Sequence, residues 1–487
     1  MMVGRKNGTV ALVGLVLFVM VSITIWQGQT TVSANGPPFI YLPHIYKNVD
    51  GSLPIPVFGL QIYGSTNNNN IYHSYLLDTD ASWVRVPILW SVTEPYNITP
   101  AMYDWGSADN RLAGARSDKG NFNLIGTFEG APDWVSQDTN GPIPPMFLDD
   151  FVEFVGTAVE RFDGDGINDA PGSPIVLYWE FYNEPDNNSD IQGNPNYSPP
   201  THWGDHSVRY ANMLMAVYPA VKAANPRAQV VFGGIAADAF ESQGGPFVES
   251  FLADVLAAGG GDYFDVMNFH SYPAFANNWT DNEGPGLLEK TTYIRNILQD
   301  AGYNKPIIVT EAGWFSNERP GTPVTGSPEI QARYVVELFT QSMAADVDVM
   351  IWWLLVDPPF PYPFMNGLIT NDAVPVRKMA FYTYQDVVAK LSKVHFVRSL
   401  SINEMGNPLM EAHEFHDKAY NRALYVAWLN PVATTETAPL LLPASQAIVR
   451  DSLTGFAVFI MDGDDGSVDD QITVEIGANP VYIEINE

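Results

Sequence analysis

PIVLYWEFYNE (174–184) is one of eight short apolar runs that alternate along the chain with stretches of helical period. The other seven are VFGLQIYG (57–64), SWVRVPILW (82–90), FNLIGTFE (122–129), AQVVFGGIA (228–236), YFDVMNFHSY (263–272), PIIVTEAGW (306–314) and VDVMIWWLL (347–355). The helix candidates are 146–162, 205–224, 246–258, 286–302, 327–345 and 376–394. Strands that alternate with helices indicate a parallel sheet. Eight such units over roughly 340 residues predict an α/β fold, the TIM or (β/α)8 barrel.

The main alternative to the barrel is a doubly wound open sheet. That fold would need a glycine-rich phosphate loop after its first strand. The run at 59–64, GLQIYG, is a poor match to such a loop. The sequence therefore favours the barrel, which we expect to span residues 57–394.

The last part of the chain has a different pattern of apolar and turn residues. Its apolar runs are short, separated by turn residues, and accompanied by no long helix: ALYVAWLN (423–430), LTGFAVFIM (453–461), QITVEIG (471–477) and PVYIEIN (480–486). Short strands with frequent turns are typical of antiparallel structure. We therefore predict a small antiparallel β-sandwich over residues 395–487.

The N-terminus has the pattern of a secretory signal peptide. Arg5 and Lys6 precede an uncharged run at 9–26, and the small residues of Val32-Ser33-Ala34 follow. We expect residues 1–34 to be removed by cleavage after Ala34. The alternative is an uncleaved membrane anchor, because a run of 18 residues is nearly long enough to span a bilayer. Both readings place the rest of the protein outside the cytoplasm, after a proline-rich linker at 35–56.

The composition excludes several classes of function. The 487 residues include 55 acidic and 24 basic side chains, for a net charge of −31. A nucleic-acid partner is excluded because phosphate attraction needs a basic surface, and strongly anionic substrates are disfavoured for the same reason. The chain has no cysteine, so it has no disulfide, thiolate metal site or cysteine nucleophile.

The chemistry-bearing residues of a barrel lie at the carboxyl ends of its strands. Here those ends carry Arg85, Glu129, Asn183-Glu184-Pro185, His270-Ser271-Tyr272, Thr310-Glu311-Ala312-Gly313 and Trp352-Trp353, with Trp134 just after the third strand. Two carboxylates therefore converge with aromatic rings and hydrogen-bonding groups. Cleavage of a glycosidic bond requires such a pair of carboxyls, and flat rings suit the faces of sugars.

These motifs resemble those of clan A glycoside hydrolases. Asn183-Glu184-Pro185 follows one apolar strand, Thr310-Glu311-Ala312-Gly313 follows another, and His270 and Tyr272 lie between them. The resemblance spans roughly residues 57–394, and the C-terminal part resembles the β-sandwich that follows the barrel in family 39 and its relatives. It implies a cofactor-free (β/α)8 enzyme that acts on a neutral carbohydrate and cleaves β-glycosides with retention.

The resemblance also implies roles for individual residues. Glu184 would be the general acid/base and Glu311 the nucleophile. Around them, Asn183 would bind the sugar 2-hydroxyl, Arg85 would lie beneath Glu311, Tyr272 would donate to Glu311, His270 would line the site, and Trp353 would form the floor of the subsite where the bond breaks. Neighbouring residues on a strand point to opposite faces, so we expect at most one of Trp352 and Trp353 to line the pocket.

The chain departs from the family pattern at its third strand. Many relatives have a histidine there, whereas this chain has Glu129. We expect Glu129 to contact substrate or to be a structural acid. Trp134 is a further candidate for stacking on a sugar, with packing as the alternative.

One loop is a candidate calcium site. Asp163, Asp165 and Asp169 resemble part of an EF-hand loop, but the sixth position is asparagine and the twelfth is not glutamate. The alternative is a solvated turn.

For the whole protein, the alternatives to a hydrolase are a non-catalytic sugar-binding barrel and a transglycosylase that uses the same residues. The preferred sugar, and exo against endo action, stay open.

Overall fold

The computed structural model describes residues 57–63, 66, 70–117, 120–136, 140–188, 202–280, 283–318, 325–359 and 361–486. All of them fall within one compact unit. The predicted signal peptide, the alternative anchor and the linker lie outside these residues. Within the described part of the chain, no helix combines the length and apolar character needed to cross a membrane.

Eight parallel strands form the barrel: β1 Val57–Gln61, β2 Trp83–Leu89, β3 Asn123–Glu129, β4 Tyr178–Phe181, β5 Gln229–Val231, β6 Met267–Ser271, β7 Ile307–Ala312 and β8 Val349–Trp352. Their order in the sheet is β5-β4-β3-β2-β1-β8-β7-β6. Parallel bridges from Val231 to Val266 and from Ile235 to Phe269 join the two ends of this sheet. The predicted (β/α)8 barrel is confirmed, and the doubly wound alternative is excluded.

The helices are α1 His73–Asp78, α2 Trp90–Thr93, α3 Gly106–Leu112, α4 Leu148–Arg161, α5 Ser207–Ala224, α6 Phe251–Ala257, α7 Leu287–Asp300, α8 Pro328–Ala344, α9 Met379–Leu391 and α10 Ile402–Met405. All six predicted helices are present, each shorter than its predicted range. The start of α8 shows how the sequence sets a boundary. Ser327 caps it by accepting from the Ile330 amide, and Pro328 occupies the first turn, where no amide donor is needed.

The barrel strands are buried on both faces, which explains their continuous apolar runs. Every residue of β4, β6, β7 and β8 is buried. Parallel strands covered by helices outside and packed side chains inside have this pattern. Charged or polar residues in these strands are therefore informative. The buried layer contains four such side chains that matter for the site: Arg85, Glu180, Asn268 and Glu311.

Eight antiparallel strands follow: β9 His395–Ser399, β10 Met410–Asp417, β11 Arg422–Leu429, β12 Ala438–Leu442, β13 Gln446–Asp451, β14 Ala457–Met461, β15 Ile472–Ile476 and β16 Val481–Asn486. Six pair in the order β9-β10-β11-β16-β13-β14, and β12 pairs with β15. Residues of both sheets share a second apolar core that includes Leu440, Val474 and Ile483. The predicted β-sandwich is confirmed.

Helix α8 joins the barrel to the sandwich. The Arg333 guanidinium donates to Asn479 Oδ1 at 2.8 Å and to the Val432 carbonyl at 2.6 Å. Gln341 Nε2 donates to Glu411 Oε2 at 2.5 Å. Because both sides of α8 are covered, most of its residues are buried, and the carboxyl of Glu337 is among them.

Candidate active site

An ion pair between Arg85 and Glu180 lies inside the barrel mouth. Arg85 is on β2 and is 2% exposed, and Glu180 is on β4 and is inaccessible to solvent. Arg85 Nε donates to Glu180 Oε2 at 2.6 Å, and Nη2 donates to Oε1 at 2.9 Å. This two-point geometry fixes the plane of the guanidinium group, so its remaining donors have defined directions.

Further donors complete the shell of Glu180. Its carboxylate accepts from Thr127 Oγ1, Asn268 Nδ2, Thr310 Oγ1 and the Gly234 amide, at 2.8–3.2 Å. Burial raises the pKa of Glu180, but the charge and hydrogen bonds of Arg85 outweigh burial and hold the pKa below its ordinary value. Glu180 is therefore a charged anchor for Arg85.

Glu311 lies at the end of β7 and receives two donors. Arg85 Nη1 donates to its Oε1 at 2.6 Å, and the Tyr272 hydroxyl donates to its Oε2 at 2.8 Å. The side chain is nearly buried, with the whole residue 6% exposed. Two donors on separate oxygens hold the carboxylate in one orientation at the mouth.

Glu184 follows the end of β4 in an unusual backbone conformation. Its φ is +43°, and Tyr182 two residues earlier has φ +67°. Non-glycine residues keep such angles only where the surroundings hold them, and functional sites are where they cluster. Here the Glu184 amide donates to the Gly234 carbonyl at 3.0 Å. This contact holds the Glu184 backbone, and 24% of the side chain stays accessible.

His270 on β6 connects the two glutamates. Its Nδ1 is 3.1 Å from Glu184 Oε1 and 3.8 Å from Glu311 Oε2. Burial lowers the pKa of His270 to about 4, so the imidazole is neutral near pH 7. A neutral ring can donate to a Glu184 carboxylate or accept from a Glu184 carboxylic acid, depending on its tautomer. The contact therefore suits both protonation states of Glu184.

The protonation of Glu184 reflects its withdrawal from water. Burial raises the pKa of Glu184 to about 7, against the opposing charges of Arg85 and Lys290. Three atoms lie within 4.8 Å of one another: a carboxylate oxygen of Glu184, a carboxylate oxygen of Glu311 and a ring nitrogen of His270. The site thus holds a carboxyl poised to carry a proton beside one that is paired with a cation.

Glycine is required in the segment just after β5, which passes behind His270. A Cβ on Gly234 would lie 2.3 Å from His270 Nε2 and 3.0 Å from Thr310 Oγ1. Such a contact would push the imidazole toward the mouth and away from its present position against Glu184. Gly234 therefore allows the segment after β5 to approach the His270 ring closely.

The other predicted binding residues line the mouth or its rim. Asn183 Oδ1 accepts from Arg85 Nη2 at 2.8 Å, which leaves the amide group of Asn183 available to a ligand. Trp353 donates to the Tyr63 hydroxyl at 3.1 Å and packs edge-on against Tyr272 and Tyr362. Trp352 is fully buried and donates to the Asn366 carbonyl, so the two tryptophans do face opposite ways.

Glu129 ends β3 at the same mouth. Burial raises the pKa of Glu129 to about 7, although the charge of Arg85 opposes this. Trp134 lies in the loop after β3, where its Nε1 donates to the Glu94 carbonyl at 3.0 Å. Its ring packs edge-on against Trp90 and Phe147. Substrate contact by Glu129 and by Trp134 stays a prediction.

The sequence did not point to Glu180 or Tyr63 as members of the site. It assigned no role to Asn268 or Thr310, although both lie in the strand-end segments where functional groups are expected. The sequence did offer a clue to Glu180, because it is the only charged residue within YWEF (178–181). It also lies an even number of residues before Glu184, which places it on the same face of the strand. A charge inside a buried strand needs partners. Tyr63 carried no such signal, because a tyrosine after a strand is also ordinary core material.

Two groups have donor sets that suit cations. Two carboxylates and an imidazole, as in Glu184, Glu311 and His270, can bind a divalent ion as well as perform acid–base chemistry. Asp163, Asp165 and Asp169 also bring one oxygen each within 4.8 Å of the others. Each of these three accepts a backbone N–H of the same loop, at 2.8–3.1 Å. Calcium binding there stays a prediction, with the solvated turn as its alternative.

Comparisons with known proteins agree on the architecture. A family 39 glycoside hydrolase from the gut symbiont Bacteroides cellulosilyticus WH2 is 19% identical, covers 89% of this chain and 81% of its own, and superposes with a TM-score of 0.64. The catalytic domain of a family 30 xylanase C from Talaromyces cellulolyticus is 13% identical over 89% of this chain and 97% of its own (TM-score 0.58). The family 51 α-L-arabinofuranosidase AbfB from Bifidobacterium longum is 13% identical over 89% and 96% (TM-score 0.55).

These likenesses confirm the predicted resemblance to the clan A glycoside hydrolase fold. No protein-family model matches the sequence, and no curated protein matches it either. At such identities the shared property is the fold. The xylanase and the α-L-arabinofuranosidase are named for different sugars, so these likenesses transfer no sugar preference to this chain.

Proposed function

We propose that the protein is a secreted retaining glycoside hydrolase that cleaves β-glycosidic bonds of neutral oligo- or polysaccharides. Glu184 is the general acid/base and Glu311 the nucleophile. The observation that carries the proposal is the geometry of this pair: a carboxylate oxygen of each lies within 4.8 Å of the other, at the ends of β4 and β7. Retaining enzymes hold their carboxyls about 5–5.5 Å apart, whereas inverting enzymes need about 6.5–9.5 Å to admit a water.

The first step transfers the sugar to Glu311. The Glu311 carboxylate attacks the anomeric carbon and forms an ester bond, while the bond from that carbon to the leaving oxygen breaks. Glu184 gives its proton to the leaving oxygen, which departs as a hydroxyl group. The raised pKa of Glu184, about 7, keeps this proton available near neutrality.

The second step releases the sugar. Glu184, now a carboxylate, takes a proton from a water molecule as that water attacks the anomeric carbon. The ester bond to Glu311 breaks, and its carboxylate returns to Arg85 and Tyr272. Each of the two steps inverts the anomeric carbon, so the product keeps the configuration of the substrate.

The surrounding residues suit a sugar ring at this position. The free amide of Asn183 points to a role at the 2-hydroxyl, where hydrogen bonds strengthen in the transition state. Trp353 offers an apolar face beside Tyr272, as a platform for the ring. The acidic composition favours a neutral glycan. Secretion rests on the signal-peptide pattern of residues 1–34.

Replacement of the nucleophile tests the proposal. We expect Glu311→Ala to lower turnover of aryl β-glycosides about 10⁴-fold or more, because no group remains to form the intermediate. Circular dichroism and the thermal unfolding midpoint should show a folded protein. Glu337→Gln is the matched control, since it alters a buried carboxyl on α8, away from the mouth, and should keep wild-type turnover. Activity near the wild-type level in Glu311→Ala would refute the assignment.

A further inference from the structure

One stretch of backbone holds both Glu184 and His270. Residues 233–239 follow β5 and are called the support segment below. The Gly234 carbonyl accepts from the Glu184 amide at 3.0 Å, and the Ile235 carbonyl accepts from the His270 amide at 2.8 Å. A displacement of the support segment would therefore move the proposed acid/base and its histidine together.

Asp186 ties the support segment to the loop that carries Glu184. It lies two residues after Glu184 and is 1% exposed. Its Oδ1 accepts from the Ala236 amide at 3.0 Å, and its Oδ2 accepts from the Ala237 amide at 2.8 Å. A carboxyl group that receives one backbone amide on each oxygen is fixed in both position and orientation. The two loops cannot slide past each other without breaking both of these bonds.

The backbone is strained on both sides of this connection. In the support segment, Ala237 has φ +45° and Ala239 has φ +39°, and in the facing loop Glu184 has φ +43°. Residues other than glycine keep such angles only where surrounding contacts hold them. The bond from the Ala237 amide to Asp186 is one of these contacts. We therefore expect the backbone around Glu184 to relax when Asp186 no longer accepts.

Lys290 ties the support segment to helix α7. The residue is 1% exposed, and its Nζ donates to the Ala236 carbonyl at 2.5 Å and to Asp238 Oδ2. Trp279 Nε1 donates to the other oxygen of Asp238 at 2.5 Å. A buried ammonium group is costly unless it is paired, so these contacts restrict where the support segment can lie.

We propose that Asp186 and Lys290 are positioning residues for the acid/base. Ala236 joins them, because its amide donates to Asp186 and its carbonyl accepts from Lys290. Together they fix the support segment, and the support segment holds Glu184 where its carboxyl can reach the leaving oxygen. The inference rests on the proposed function, because the position of Glu184 matters to the rate only if Glu184 is the acid.

Leaving groups of different basicity test this role. A phenyl β-glycoside needs protonation of its leaving oxygen, whereas a 2,4-dinitrophenyl β-glycoside needs little. Both are assayed at about pH 6, below the pKa of Glu184 of about 7, so that Glu184 carries its proton. The ratio of the two kcat/KM values is independent of the fraction of folded enzyme, so a partly unfolded variant can still be interpreted.

Two variants weaken the support segment. In Asp186→Asn the side-chain amide turns an N–H toward a backbone N–H, and Lys290→Met loses the ammonium group but keeps the stem. We expect each to lower kcat/KM about 10- to 100-fold for the phenyl glycoside and less than about threefold for the dinitrophenyl glycoside. An equal fall for both substrates, or no fall for either, would overturn the proposal.

Matched controls lie at the amino ends of the barrel strands, away from the mouth. Lys305, just before β7, donates to the Phe264 carbonyl at 2.6 Å, and Asp265, just before β6, accepts from the Val230 amide at 2.7 Å. Lys305→Met and Asp265→Asn should therefore keep the wild-type ratio of kcat/KM values, even where the unfolding midpoint falls. A change of this ratio as large as in the test variants would show that it reports general loosening, and the proposal would be wrong.

A double variant tests whether the two residues act through the same segment. Residues that act as a unit give non-additive losses. Asp186→Asn combined with Lys290→Met should therefore reduce kcat/KM for the phenyl glycoside little more than the more affected single variant does. If the two losses multiply, the residues act independently and the shared support is refuted.

Hydrogen exchange separates this inference from the proposed function. Exchange of the full protein is followed by mass spectrometry in peptides that cover residues 182–188 and 233–239. Both segments should exchange faster in Asp186→Asn and Lys290→Met than in the wild type, and at the wild-type rate in the two controls. If they do, but the wild type cleaves no β-glycoside, the proposed function fails and the support of the Glu184 loop stands. If glycosides are cleaved while exchange and the substrate ratio stay unchanged, the positioning role is wrong and hydrolysis stands.

Discussion

Glu180 and Glu337 are both completely buried, but they lie in opposite environments. Glu180, inside the barrel mouth, has six donor atoms within 3.2 Å, two of them from Arg85. Glu337, on the face of α8 toward the sandwich, has no hydrogen-bond partner for either oxygen. The pKa of Glu180 is held below its ordinary value, whereas burial and the neighbouring Glu411 raise the pKa of Glu337 well above it.

The difference shows that burial alone does not set the charge of a carboxyl. Donors around Glu180 replace the water that it loses, so it remains an anion that orients Arg85 toward Glu311. Glu337 lacks such donors, and its raised pKa favours the neutral acid. Glu184 is intermediate, with one polar contact through His270, partial exposure, and a pKa raised to about 7. The proposed acid/base is thus the carboxyl whose environment lies between those of Glu180 and Glu337.

Removing the charge of Glu180 should have the largest effect. We expect Glu180→Gln to lower the free energy of unfolding by about 3–5 kcal/mol, because it leaves the buried Arg85 without its main counterion. Turnover should fall as well, since Arg85 loses its fixed orientation toward Glu311. Urea denaturation and kcat on an aryl β-glycoside measure the two effects. A loss of less than about 1 kcal/mol would mean that the shell around Glu180 does not stabilise the fold.

The pH profile of catalysis is the next largest expected effect. Glu184 must be protonated to donate to the leaving group, and it loses that proton as the pH rises through about 7. We therefore expect kcat/KM to fall by about tenfold per pH unit above that value. A 2,4-dinitrophenyl glycoside, whose leaving group needs little protonation, should show a weaker fall. A profile that stays flat to pH 9 for both substrates would contradict the assignment of Glu184.

The smallest expected effect is at Glu337. We expect Glu337→Gln to raise the free energy of unfolding at pH 7 by at least about 1 kcal/mol, because the amide never has to be kept uncharged. The sign follows from the raised pKa in the folded state. The contribution of the Glu337 carboxyl to wild-type stability is complete below its ordinary pKa of 4.5. That contribution is lost as the pH rises from 4.5 toward the raised pKa of the folded state. The advantage of the variant should therefore grow from pH 4.5 upward in denaturant melts. A loss of stability at pH 7 would show that Glu337 has stabilising partners.

Much of this arrangement could be predicted from the sequence. Each barrel strand is a continuous apolar run because both of its faces are buried, so all eight were recognisable. Glu184 and Glu311 were recognisable because they follow such runs, where a barrel places its functional groups. The interior residue Glu180 was missed for the same reason, since attention to strand ends passes over a charge within the strand.

Other features depend on contacts that sequence patterns do not report. Glu337 has the spacing of an ordinary charged residue on a helix, and it is buried only because the sandwich covers α8. Helices α1 and α3 are short and have no clear apolar period, so local pattern did not predict them.

We propose that Glu184 and Glu311 act together by double displacement. The most direct measurement follows the anomeric proton of the first product by NMR during hydrolysis of a β-glycoside, before mutarotation. We expect the β-anomer of the released sugar to appear first and then to equilibrate with the α-anomer. If the α-anomer appears first, the enzyme inverts, Glu311 is not a nucleophile, and the account is wrong.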